Sequence, residues 1–165
     1  MRNECQGIAE GGIRILEAGI DSQEATLLLK ELSAALSAIT GNSGEASFDA
    51  SDMANEKSVF VIAMIQDEPV GCGAIRRLDS RTAEIKRMYA KKSGSGIGTC
   101  ILNYLRNKTI GFGYETLVLE TRKVNTKAVA FYLKNGFHVT ENYGKYAGQD
   151  EAVCFAQGIR VAERG

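Results

Sequence analysis

The sequence predicts an α/β (α+β) domain. It has a mixed, mostly antiparallel sheet of about six or seven strands, a parallel central β-α-β crossover, and helices on both faces. Two patterns carry this expectation. Three strand signals separated by short turns, "SVFVIAMIQ" (58–66), "VGCGAIRRL" (70–78) and "TAEIKRMYA" (82–90), form an antiparallel meander. A strand, a helix and a second strand then follow between 82 and 122, the arrangement of a parallel crossover. With 165 residues, the chain has enough length for one domain, 1–165, with a core of its own.

In chain order, "GIRILEA" (12–18) reads as a first strand. "DSQEATLLLKELSAALSAIT" (21–40) is an amphipathic helix with Asp21 or Ser22 as its cap. Leu28, Leu32, Ala35, Leu36 and Ile39 fall on one face of it. The polar stretch 41–58 reads as a loop with a short helix around 49–55. The three meander strands come next. A helix over 97–110 leads into a buried strand, "YETLVLETR" (114–122). "NTKAVAFYLKN" (125–135) is a helix closed by Gly136 at C′. The last strands are "FHVTENY" (137–143) and "EAVCFAQGI" (151–159).

Composition narrows the function classes. Twenty basic and twenty acidic residues give a net charge of zero, so nucleic acid is not expected as a partner. "MRNECQGIAEGG" lacks the apolar run of a signal peptide, and no segment approaches membrane-spanning length. The four cysteines, Cys5, Cys72, Cys100 and Cys154, lack metal or redox spacing. They read as reduced thiols in a cytosol. No metal site is expected. His138 is the only histidine. Alternation in "GFHVTE" turns it outward and buries Phe137 and Val139, which leaves no nucleophile dyad.

The most informative stretch is "KKSGSGIGTCILNYL" (91–105). Gly94, Gly96 and Gly98 leave the backbone open to close approach. A helix starting there points free N–H groups and its positive dipole end into the loop. This is a phosphate site at the carboxyl end of strand 82–90. A nucleotide P-loop is excluded because no lysine follows Gly98. The spacing G-x-G-x-G also departs from the dinucleotide fingerprint.

Four pieces in order resemble the GNAT superfamily of N-acetyltransferases: "EIKRMY", the G-x-G helix start, an asparagine opening a helix, and "FY" followed by "GF". The resemblance runs from Val59 to the chain's end. It implies that acetyl-CoA is the cosubstrate, with its pyrophosphate held by Ser93, Gly94, Ser95, Gly96, Ile97, Gly98 and Thr99. Ser93 stands where the family has Gln or Arg, and the connection from "MY" is about two residues short. Lys91 and Lys92 either supply the missing positive charge or are solvated surface lysines.

The resemblance further places the oxyanion donor and pantetheine contacts on the backbone of Met88, Tyr89 and Ala90. The strand there splays from 116–121. Asn125 matches a CoA-contacting asparagine. Tyr132 matches a tyrosine beside the sulfur that acts as general acid. Glu84 matches the base of the histone-acetyltransferase branch, acting directly or through water, and Glu120 is a second candidate. The acceptor walls fall at 41–57 and 142–150, where Tyr143 and Tyr146 with acidic neighbours either suit a cationic amine or form an exposed loop.

The function expected is transfer of an acetyl group from acetyl-CoA to a primary amine, small-molecule or peptide, by direct attack in a ternary complex. A cytoplasmic homodimer is expected. The alternatives are a non-catalytic CoA-binding regulatory module and a toxin-like acetyltransferase acting on aminoacyl-tRNA.

Overall fold

Side chains alternate across a strand, so each central strand of this chain feeds two cores at once. The structure, a computed structural model, describes residues 4–5, 12–45, 48, 50–92 and 94–159. Its strands are β1 (Glu4–Cys5), β2 (Ile13–Glu17), β3 (Val59–Ile65), β4 (Glu68–Arg77), β5 (Thr82–Ala90), β6 (Thr116–Arg122), β7 (His138–Thr140) and β8 (Ala152–Gly158). They form one sheet in the order β1-β2-β3-β4-β5-β6-β8-β7. Every pairing is antiparallel except β5 with β6, the expected crossover. The eighth strand is the two-residue β1, too short to leave a periodic signal.

Among the described residues three α-helices complete the fold: α1 (Gln23–Thr40), α2 (Ile97–Gly111) and α3 (Thr126–Lys134). On one face Val61, Ile75, Ile85, Leu117, Leu119 and Phe155 pack with Ile97, Ile101 and Leu105 of α2 and Tyr132 of α3. On the other, Phe60, Ile62, Cys72 and Ala74 pack against Ala25 and Leu28 of α1. Of the two expected caps for α1, Ser22 is the one used: its Oγ accepts from Ala25 N at 3.2 Å. The short helix expected near 49–55 is a 3-10 turn, Ala50–Met53.

The helix α2 lies unusually close to the sheet. A Cβ at Gly71 would stand 2.7 Å from the carbonyl oxygen of Tyr89 and 2.9 Å from Ile97 and Ile101. At Gly73 it would stand 2.6 Å from the Met88 sulfur. Two glycines two residues apart on β4 therefore make the seat for α2.

β5 carries the irregularity that matters for function. Cys72 pairs with Tyr89 and Ala74 with Lys86, so β5 has one extra residue over that interval, a β-bulge. Arg87 sits in the bulge at φ 55°, a left-handed conformation uncommon outside glycine. Its buried guanidinium reaches α1 and the segment after it: Nη2 donates to Ser33 Oγ at 2.8 Å and Nη1 to the Ser43 carbonyl at 3.2 Å. The β5–β6 ladder covers only Thr82–Glu84 against Thr116–Val118. Beyond it the strands part.

Some local expectations fail. Ile39 is 47% exposed, on the last turn of α1 beyond the sheet contact. Val139 is 58% exposed rather than buried. β7 is a three-residue edge strand with a neighbour on one side only, and Phe137, just before it, is the residue that enters the core. Cys72 and Cys154 are free thiols as expected, whereas Cys100 is disulfide-bonded. Among the described residues no helix is long and apolar enough to cross a membrane.

Replacing Gly71 by valine should lower unfolding stability by about 1–3 kcal/mol in chemical denaturation, because the backbone of β5 cannot give way cheaply. Gly111→Ala, at a helical position with nothing within 4 Å of the added carbon, should instead hold or raise stability, by about 0.4–1 kcal/mol at most.

Candidate active site

Where β5 and β6 part, they leave a cleft of about 320 Å³. Ile85 to Met88 line one wall and Leu119 to Arg122 the other. Helix α3 closes one side with Asn125, Ala128 and Tyr132, three and then four residues apart and so on one helical face. Leu32 and Leu36 of α1 and the segment of Lys145, Tyr146 and Gln149 complete it. The expectation that β5 splays from 116–121 is met in the pairing itself.

Tyr132 is 6% exposed, its ring held edge-on by Phe131 and Phe137. Burial pushes its hydroxyl well above the ordinary phenol range, so it stays protonated at neutral pH. Asn125 caps α3, its Oδ1 accepting from Ala128 N at 3.4 Å. That role leaves its Nδ2 donors to the cleft it lines. Of Met88, Tyr89 and Ala90, only Met88 borders the cleft. Tyr89 turns to α1, where its hydroxyl donates to Glu31 Oε1 at 3.0 Å.

The two carboxylates differ sharply. Glu84 is 1% exposed and lies behind the cleft wall. Both its oxygens are engaged: Arg76 Nε donates to Oε1 at 2.7 Å and the Tyr143 hydroxyl to Oε2 at 2.6 Å. Arg76 also pairs with Asp52 at 2.8 Å. Glu120 lines the cleft itself. Its Oε2 is sealed from solvent with Arg122 Nε at 3.4 Å and no hydrogen bond among the described residues. Burial pushes its carboxyl up, Arg122 and Lys86 offset part of the rise, and Glu84 adds to it. A carboxylate with a raised pKa facing a cleft has the character of a general base.

The glycine loop lies outside the cleft lining, at the start of α2. Gly94 and Gly96 have φ 76° and 86°, conformations open to glycine but costly to other residues. Gly96 is the N-cap, and the first helical bond runs from Cys100 N to the Gly96 carbonyl. The N–H groups of Ile97, Gly98 and Thr99 therefore have no acceptor within the helix. Ile97 turns its side chain into the core. A Cβ at Gly98 would meet the Phe131 ring at 3.1 Å, which sets the helix start directly against α3. Ser93 lies outside the described residues. Lys91 is held near Glu68 and Glu31, at 3.5 and 3.7 Å.

Sequence reasoning passed over Lys86, Arg122 and Lys145, which also line the cleft. A signal was present for two of them. Glu84 and Lys86 alternate on one strand, Glu120 and Arg122 on the next, so all four share a face once the strands are adjacent.

The sequence profile of the family described as Acetyltransferase (GNAT) matches residues 28–137. The chain belongs to the GNAT acetyltransferase family. The uncharacterized N-acetyltransferase YsnE of Bacillus subtilis (strain 168) is 35% identical over 93 residues, 54% of this chain and 61% of that protein. An IAA acetyltransferase of Azospirillum brasilense is 31% identical over 101 residues, 59% of this chain and 65% of that protein. The match thus spans under two thirds of either relative. Among solved structures, a GNAT family acetyltransferase from Elizabethkingia anophelis with acetyl-CoA bound superposes with a TM-score of 0.65. It covers 88% of this chain and 97% of its own at 19% identity, which shows a shared fold.

The raised Glu120 carboxyl has a consequence for stability. A group whose pKa is higher folded than unfolded favours the folded state when protonated and opposes it when ionised. Glu120→Gln should therefore stabilise the protein at neutral pH. The gain should vanish as pH falls below the ordinary glutamate range, where both states are protonated. Urea titrations at pH 7 and pH 3 check this; an equal effect at both would sink it.

Proposed function

We propose that the protein transfers the acetyl group of acetyl-CoA to a primary amine by direct attack within a ternary complex. The observation that carries the reading is the parting of β5 from β6 beside a helix that opens on glycines. The gap accepts a narrow extended arm, and the helix start offers backbone N–H donors and a dipole to a pyrophosphate. In this reading Gly94 to Thr99, with Ser93, hold the pyrophosphate. Backbone from Met88 to Ala90 follows the pantetheine, and Asn125 supplies a side-chain amide to it.

The thioester carbonyl carbon then lies in the cleft between Glu120 and Tyr132. The amine nitrogen attacks it as Glu120 takes the proton, and the developing oxyanion needs a donor from the β5 backbone at the bulge. The C–S bond breaks, and Tyr132 donates its proton to the departing thiolate. We assign the base to Glu120 in preference to Glu84, whose oxygens are engaged by Arg76 and Tyr143. Glu84 then acts by holding Tyr143 at the cleft's back.

Turnover with an amine library, followed by thiol release, tests the reading. Tyr132→Phe should lower kcat by at least about 100-fold with acetyl-CoA affinity retained, since Phe fills nearly the same volume. Glu120→Gln should lower kcat/KM most at neutral pH, with partial recovery at high pH as the amine loses its proton unaided. Calorimetry should show acetyl-CoA binding that survives EDTA and is abolished in Gly96→Glu, which places a negative charge and a strained side chain at the pyrophosphate seat. A glycine-loop variant that binds normally would refute this seat.

A further inference from the structure

The cleft is lined by four cationic side chains, Lys86, Arg87, Arg122 and Lys145, against one carboxylate, Glu120. Two of the four are already committed. Arg87 is bonded to Ser33 and Ser43, and Arg122 to Gln149, Glu151 and Glu120. The two lysines are not. Lys86 is 8% exposed, and its Nζ donates to the Tyr146 hydroxyl at 3.2 Å. No carboxylate among the described residues lies within ion-pair distance of it; Glu84 pairs with Arg76, and Glu120 stands beside Arg122. Lys145 likewise has no ion pair among the described residues. Both ammonium groups stand over the same ring, 5.8 Å and 5.6 Å from the centre of Tyr146.

A buried ammonium held by a neutral phenol, with a second ammonium at the same ring, is costly unless an anion completes it. The geometry points to an acceptor that carries a carboxylate near its amine, an amino-acid-like substrate whose carboxylate sits between Lys86 and Lys145 while its amine faces Glu120. This rests on the acetyl-transfer reading and sharpens it. The tyrosines and acids of 142–150 suited a cationic amine from sequence. In the fold Glu84 is neutralised by Arg76, and the charge left facing the cleft is positive. CoA phosphate is the competing anion, but Lys86 lies four residues before the end of β5, roughly 13 Å back along the strand from where the connection to the glycine loop begins.

Protein is assayed with acetyl-CoA and primary amines of varied side chain. Each is presented as the amino acid, its carboxamide and the decarboxylated amine, with rates corrected for the fraction of neutral amine. At least one amino acid should exceed its carboxamide by tenfold or more in kcat/KM, the difference residing in KM. Lys86→Met should bring that ratio close to one while calorimetric acetyl-CoA affinity is kept. Lys86→Arg should retain the preference. Lys145→Gln, at an exposed position that cannot endanger folding, should also reduce it. Equal rates for acid and carboxamide overturn the inference and leave acetyl transfer standing. Loss of acetyl-CoA affinity in Lys86→Met overturns it in favour of a phosphate contact. Acetyl-CoA binding with no amine acetylated in any form removes both this inference and the transfer reading.

Discussion

The ladder between β5 and β6 stops after Glu84 and Val118, and the cleft exists because it stops. Two parallel strands that continued together would satisfy their backbone groups on each other and leave no gap. The bulge at Arg87 prevents this by inserting an extra residue and turning the strand. A left-handed arginine is held there by its own side chain: the guanidinium is buried and bonded to Ser33 of α1 and to the Ser43 carbonyl just beyond it. Local strain at the bulge is thus offset by a tertiary contact, as strained backbone at functional sites generally requires.

Around the opening, charge is arranged so that some groups are spent and others remain available. Arg76 binds Asp52 and Glu84, and Glu84 in turn accepts from Tyr143. Each member of that chain has partners, and Glu84 at its centre is buried, where a low-dielectric setting demands them. It forms a rigid floor. Glu120 and Lys86, on the cleft side of the same face, lack comparable partners. Burial drives the Glu120 carboxyl up and the Lys86 ammonium down, with Glu84 partly offsetting the latter. The contrast between satisfied and unsatisfied groups a few ångströms apart separates framework from chemistry better than residue type does.

Much of this was legible beforehand. Strand signals separated by short turns located the meander, and the glycine run with a helical pattern behind it located the start of α2. Asn125 was placed at the opening of a helix, and it does open α3, accepting from the Ala128 N–H. These features depend on neighbours in sequence. What stayed hidden depends on distant ones. Glu84 looked as available as Glu120 because Tyr143, 59 residues on, is what occupies it. The bulge left no mark, since arginine has no preference for its conformation. Gly71 and Gly73 read as ordinary strand residues because their reason, the closeness of α2, exists only in three dimensions.

Glu31 on α1 receives the Tyr89 hydroxyl through one oxygen and stands 3.7 Å from the Lys91 ammonium through the other. With Arg87 bonded to Ser33, a single turn of α1 thus grips β5 at 87, 89 and 91. Motion is thereby shared: the end of the strand cannot shift without carrying that turn along. Amides of the Glu31–Ser33 turn and of 87–91 belong to one cooperative unit for hydrogen exchange. Whatever rigidifies the strand from within the cleft also slows exchange on that turn of α1.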